Sequence, residues 1–200
     1  NLLVATGPQP KYDALATTAI KFLTAIVSKE MHKGKFQPAP GDTSVLKQIC
    51  QSIVVPNLLL RDSDEELFED NPVEFIRGDI EGSDVSTRRR AACDLVAGML
   101  RHFKRDVTGL LFAQMNELVT RYKADPAGGW KNKDACIALV IALTVEAQTK
   151  DNGVSRVNVD VPLLPFYQSE VLPELMAAQG VDHLPLVKAG AIKFVATFRN

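Results

Sequence analysis

An all-α fold, an α-solenoid of HEAT-type antiparallel helix pairs carrying one acidic insertion, is what this sequence predicts. Three observations predict it. Apolar residues recur at spacings of three and four through most of the chain, the period of a single helix face. The composition is 46% hydrophobic but only 6% aromatic, and Ala, Leu and Val dominate, which suits helix-on-helix packing, where small side chains let axes approach. Arg90-Ala91-Ala92-Cys93 is also echoed 43 residues on by Lys133-Asp134-Ala135-Cys136, each leading into an apolar helix. Helix hairpins repeating at about 40–47 residues are the mark of HEAT-type arrays. A looser third copy, Leu186-Val187-Lys188-Ala189-Gly190-Ala191, opens the last helix. The alternative is a closed helical bundle, which unlike a stacked array leaves no apolar end face open.

The whole of 1–200 is expected to be one HEAT-repeat segment. Its first helix pair spans 11–60. Tyr12, Leu15, Ala16, Ala19, Ile20, Leu23, Ile26 and Val27 form one helix face after Pro8 and Pro10, and Gly34 and Pro38 stop it. Asp42 or Thr43 then caps a second helix with Val45, Leu46, Ile49, Cys50 and Ile53 inside, ended or kinked by Pro56.

The acidic insertion follows, 61–85, with ten acidic residues against two arginines and hence a charge of −8; the rest of the chain carries +7. Like charge on that scale opposes compaction, so a solvated loop is the simplest reading and a charged contact surface the functional one.

A second pair is expected over 86–125. Ser83, Asp84 or Ser86 caps its first helix, whose inner face is Ala91, Ala92, Leu95, Val96, Met99, Leu100 and Phe103. Asp106 caps the next, with Val107, Leu110, Leu111, Met115, Leu118, Val119 and Tyr122 facing inward. Arg88, Arg89 and Arg90 lie in the first turn, where cations oppose the helix dipole, and the upstream acids are the expected compensation. Asp125-Pro126-Ala127-Gly128-Gly129 breaks the chain.

The third pair is expected over 131–179. Its first helix, to Gln148, is apolar on nearly every side and so covered on both flanks. Lys150 to Val161 is a connection in which Val157, Val159 and Val161 alternate, a short extended piece or a plain loop. Pro165 opens the second helix and Gly180 ends it. An orphan helix then occupies 184–200.

Several functional classes lack their residues. The chain has no apolar run near twenty residues, so no membrane span is expected, and it shows no signal peptide, so it reads as an excised fragment. Cys50, Cys93 and Cys136 are odd in number and far apart; with His32, His102 and His183 equally scattered, neither a disulfide framework nor a metal site is expected, and the compartment is read as reducing. Asp62, Asp64 and Glu66 mimic the start of a calcium loop, but Leu67 stands where the turn needs Gly and Val73 where the last ligand should be Glu. Phosphate loops, nucleophile elbows and zinc-protease motifs are missing, so neither an enzyme nor a cofactor is expected. Acids beside Arg88-Arg89-Arg90 argue against a nucleic-acid track.

The run from Phe68-Glu69-Asp70-Asn71 through Phe75-Ile76-Arg77-Gly78-Asp79-Ile80-Glu81-Gly82-Ser83-Asp84 to Thr87-Arg88-Arg89-Arg90-Ala91-Ala92-Cys93-Asp94-Leu95-Val96 resembles the central region of the importin-alpha re-exporters of the karyopherin-beta (exportin) family. Ile53-Val54-Val55-Pro56-Asn57, Trp130-Lys131-Asn132-Lys133-Asp134-Ala135 and the closing Leu186 to Asn200 add to the likeness, and the first forty residues match least.

The resemblance implies a central fragment of a HEAT-repeat receptor that carries importin-alpha from nucleus to cytoplasm with Ran-GTP, shuttling between the two compartments. It implies that the acidic insertion is a hinge or partner contact. On that likeness Asp64, Glu65, Glu66, Glu69, Asp70, Glu74, Asp79 and Glu81 are the partner-facing or hinge set, joined by Arg77, Arg88, Arg89 and Arg90. Two readings stay open: a transport receptor with a functional insertion, and a purely structural scaffold segment without direct partner contact. Self-association of the fragment through exposed end helices is a further expectation.

Overall fold

A computed structural model describes residues 7, 9–80, 87–149, 153–177 and 184–199. The expected caps Ser83, Asp84 and Ser86, together with Pro8, Gly180, His183 and Glu81, lie outside the described residues. The chain forms two compact units, Asn1–Leu111 and Phe112–Asn200.

In the first unit, α1 (Asp13–Val27) buries Ala16, Thr17, Ile20 and Val27. Thr24 and Ser28 donate their hydroxyls to carbonyls one turn back, Ile20 at 2.9 Å and Thr24 at 2.7 Å, closing the helix end. A 3₁₀ turn, Glu30–His32, and a short α2 (Lys33–Phe36) follow, so the helix expected over 11–31 stops at Val27. The next helix is continuous but not uniform: α3 (Ser44–Ile49), a π-turn at Cys50–Val54 and α4 (Val55–Leu58). Pro56 explains the widened turn. It cannot donate to the carbonyl of Ser52, and its ring would strike that carbonyl in a regular helix. Leu46, Ile49, Cys50, Val54 and Leu58 all face inward.

Two helices were expected over 86–125, and two are found end to end within the run labelled α7 (Arg88–Ala124), separated at Phe103, whose backbone leaves the helical region (φ −129°, ψ 30°). The labels α5 (Asp62–Asp70) and α6 (Pro72–Phe75) belong to the acidic segment. The break falls at Phe103 and not at the expected cap, so Asp106 lies just inside the second helix, where it accepts from Gln37 Nε2 at 3.0 Å. Ala91, Ala92, Leu95, Val96, Met99, Phe103, Val107 and Leu111 are buried along α7, and each large apolar side chain so buried contributes roughly 1.5–3 kcal/mol. His102, beside the break, places Nε2 3.0 Å from the Ser28 carbonyl and Nδ1 2.8 Å from Glu30.

In the second unit α7 ends and α8 (Pro126–Thr144) starts within two residues. The expected breaker is the start signal of α8: Asp125 accepts from Gly128 N at 3.0 Å and Pro126 supplies the first helical residue, a position where its missing N–H costs nothing. Helix α8 is buried on several sides, through Ala135, Cys136, Ile137, Leu139, Val140 and Leu143. It ends at Thr144, short of Gln148, and an antiparallel hairpin takes over, β1 (Val145–Thr149) with β2 (Gly153–Val157), Val145 opposite Val157. Buried Asn158 fixes the junction by donating from its backbone to Thr144 O (2.7 Å) and from Nδ2 to Leu143 O (3.2 Å), satisfying carbonyls that a helix end leaves open.

The last helices repeat the earlier device. Helix α9 (Leu163–Phe166), a π-turn at Tyr167–Val171 and α10 (Leu172–Met176) are continuous, with Pro173 two residues past the π-turn as Pro56 is past the first. Helix α11 (Pro185–Thr197) packs on α8 and α10 through Leu186, Val187, Ala191 and Phe194, and Phe194 meets Phe166 and Phe198 at centroid distances of 5.9 and 4.9 Å.

Candidate functional site

The segment read as an insertion is largely helical. Three acids, Asp62, Asp64 and Glu65, occupy the first turn of α5, where they complement the helix dipole. Asp64 also closes the helix start, because its carboxylate accepts the backbone N–H of Arg61 at 2.8 Å. The chain turns at Asn71, whose side chain accepts from Glu74 N (3.2 Å) and donates to the Glu74 carboxylate (3.0 Å). Pro72 then opens α6 at its first position. Phe68 and Phe75 meet edge-to-face at 5.5 Å, and Phe75 is buried. This contact folds α6 back on α5, and a π-turn, Ile76–Ile80, continues the chain.

On this frame Glu66, Glu69, Asp70, Glu74 and Arg77 are exposed, Glu65 is half-buried, and Leu67 and Val73 are exposed apolar neighbours. The site residues Asp79 and Glu81 give no described side chain. Asp64 differs from the other acids because it is held from within the chain: Arg61 donates Nε to Oδ2 and Nη2 to Oδ1, both at 3.0 Å. This paired geometry is the strong form of a guanidinium–carboxylate contact. The hydrogen bonds Arg61 donates to Asp64, ahead of that to Asp13, hold its guanidinium above its ordinary pKa despite burial.

The segment's two flanks converge on a residue that sequence reasoning missed. Arg61 Nη1 donates to Asp13 Oδ1 at 2.6 Å, and Arg88 Nε donates to the same oxygen at 2.7 Å. Arg88 is only 7% exposed and also donates to the carbonyls of Gly7 (2.8 Å) and Gln9 (3.0 Å). The expectation that acids just upstream compensate Arg88 is thus corrected: its carboxylate partner is Asp13, from the first turn of α1. A buried guanidinium needs fixed acceptors on each face, and the N-terminal segment provides three. Thr87 accepts from Arg90 N at 3.1 Å as the cap of α7; Arg89 is half-buried and Arg90 exposed. The only sequence signal for Asp13 was an acid at the start of a predicted helix, which by itself says nothing of a partner 48 or 75 residues away.

No group of three or more His, Cys, Asp or Glu among the described residues is arranged to hold a metal. No helix among them is long and apolar enough to cross a membrane.

The family model described as Cse1 matches residues 1–200. Curated relatives named Exportin-2 are similar over the full chain, at 44% identity in Bos taurus and in Homo sapiens and 42% in Xenopus laevis. The chain spans 20% of the length of each. Among solved structures, "The exportin Cse1 in its cargo-free, cytoplasmic state" matches with a TM-score of 0.90 and 38% identity, covering all of this chain and 21% of that one. The predicted HEAT-type solenoid class is the fold of that match.

Proposed function

Since this chain belongs to the Cse1 family, we propose that it is a central segment of a nuclear export receptor that binds importin-alpha together with Ran-GTP and returns it to the cytoplasm. In this reading the receptor shuttles between nucleus and cytoplasm, and the acidic segment is its hinge or partner contact. The observation that carries the local part is the exposure of Glu66, Glu69, Asp70 and Glu74 on a folded pair of helices. Preset carboxylates beside exposed Leu67 and Val73 suit a basic partner surface, and such charge acts mainly on encounter rate and selectivity. Exposed Phe22, Met31, Met176 and Ile192 support self-association of the isolated chain.

The second reading, a structural scaffold segment without direct contact, is favoured by Asp64, Arg61 and Arg88 being engaged internally. Capture of importin-alpha by the full-length receptor, with and without Ran-GTP, separates the two. If neutralising Glu66, Glu69, Asp70 and Glu74 abolishes Ran-dependent capture, the acids serve the partner. Undiminished capture favours the scaffold.

A further inference from the structure

We propose that Asp13 is a pivot coupling the two flanks of the acidic segment, so that the start of α5 and the start of α7 are held, or released, together. One carboxylate oxygen receives both Arg61 and Arg88, and these residues bracket the whole stretch from Asp62 to Thr87. The arrangement is a non-covalent clip closing a long loop. Such a clip has to offset the chain entropy lost when the loop closes. It also works against a specific force, because the acids gathered between the two arginines repel one another, and that repulsion favours opening.

The two halves of the clip are unequal. Arg61 keeps Asp64 as a second carboxylate when Asp13 is lost. Arg88 is nearly excluded from water, and apart from Asp13 it donates to the neutral carbonyls of Gly7 and Gln9. Taking the charge from Asp13 leaves a buried cation poorly compensated, a condition that local opening relieves. Asp13, though distant in sequence, thereby sets how the exposed acids of α5 and α6 are presented. The consequence for partner binding rests on the export reading above; the clip itself does not.

Hydrogen exchange measured by mass spectrometry on the 200-residue chain tests the clip without any partner, so the result is independent of that reading. In Asp13→Asn, amides of α5 and of the first turn of α7 should both exchange roughly tenfold faster or more, while those of α8 keep their wild-type rates. Faster exchange at one flank only, or at neither, overturns the proposal, as does an equal rise in α8. Should Asp13→Asn fail to fold, Arg61→Gln, which leaves the Asp13–Arg88 contact in place, must still raise exchange in the first turn of α7 as well as in α5. A rise confined to α5 overturns it.

Discussion

Lys133 Nζ lies 2.6 Å from Glu170 Oε2, with both side chains removed from solvent. Glu170 sits inside the π-turn of Tyr167–Val171. Lys123 donates to its other oxygen at 2.9 Å, while Tyr122 donates to Glu174 at 3.0 Å and lends its ring to Lys133 at 5.0 Å. An ionic cluster thus joins the end of α7, the middle of α8 and the α9–α10 helix. Removing one partner strands the other charge. Lys133→Ala should destabilise the chain by about 3–5 kcal/mol in urea unfolding, and Lys133→Met with Glu170→Leu should cost less than Lys133→Ala.

The same cluster sets an acid dependence. Burial alone would raise the Glu170 pKa, but the hydrogen bonds and charges of Lys133 and Lys123 outweigh it and hold the carboxyl below its ordinary 4.5. A depressed folded pKa contributes stability that is present above the unfolded value and lost as pH falls through the folded one. Stability should therefore fall on acidification below about pH 4.5, and the part of that slope owed to Glu170 should vanish in Glu170→Gln. Unfolding midpoints across this range check it.

At the alkaline end, burial first, and then the contact with Glu174, pushes the Tyr122 hydroxyl up to about 12. The raised value means that its contribution is intact below pH 10 and lost as pH rises toward 12. Tyrosinate absorbance should show a late step near pH 12, and Tyr122→Phe should remove it.

Burial likewise pushes the thiols of Cys50 and Cys136 up to about 12, and the thiolate is the reactive species. A thiol reagent at neutral pH should label Cys93 first in the native chain, and all three cysteines in denaturant. Rapid labelling of Cys50 or Cys136 in native conditions would count against this packing.

Gly129 marks a close approach of α8 to the end of α7: a Cβ there would stand 3.1 Å from the Arg121 carbonyl oxygen and 3.2 Å from Tyr122 Cα. Both are backbone atoms and yield poorly. Ala in place of Gly gains about 1 kcal/mol of helix propensity, but overpacking typically costs about 1–3 kcal/mol. Gly129→Ala should be neutral to destabilising in thermal unfolding, not stabilising.

Much of the helical framework was legible because it is local. Ile20, Leu46 and Leu95 each belong to a run of apolar residues at helical spacing, Leu139 to an apolar stretch, and their helices exist. The errors lie where a distant partner decides. Glu146-Ala147-Gln148 reads as helix from its neighbours, yet Asn158 closes α8 at Thr144 and the chain pairs as a hairpin. Pro56 announces a disturbance, but the π-turn that absorbs it lies before the proline. Asp13, an acid at a helix start, and Lys133, part of a repeated motif, carry no local mark of their partners. Each matters through charges 37 to 75 residues away, which periodicity does not encode.

If the exposed acids of α5 and α6 serve a basic partner, they act on encounter, which association kinetics measure. The full-length receptor would be compared with its Glu66→Gln, Glu69→Gln, Asp70→Asn, Glu74→Gln form, binding importin-alpha with Ran-GTP over a range of salt. Association of the neutralised form should be slower by roughly tenfold at low salt, with a shallower salt dependence and an unchanged melting temperature. Identical association rates at every salt concentration would contradict this role of the acids.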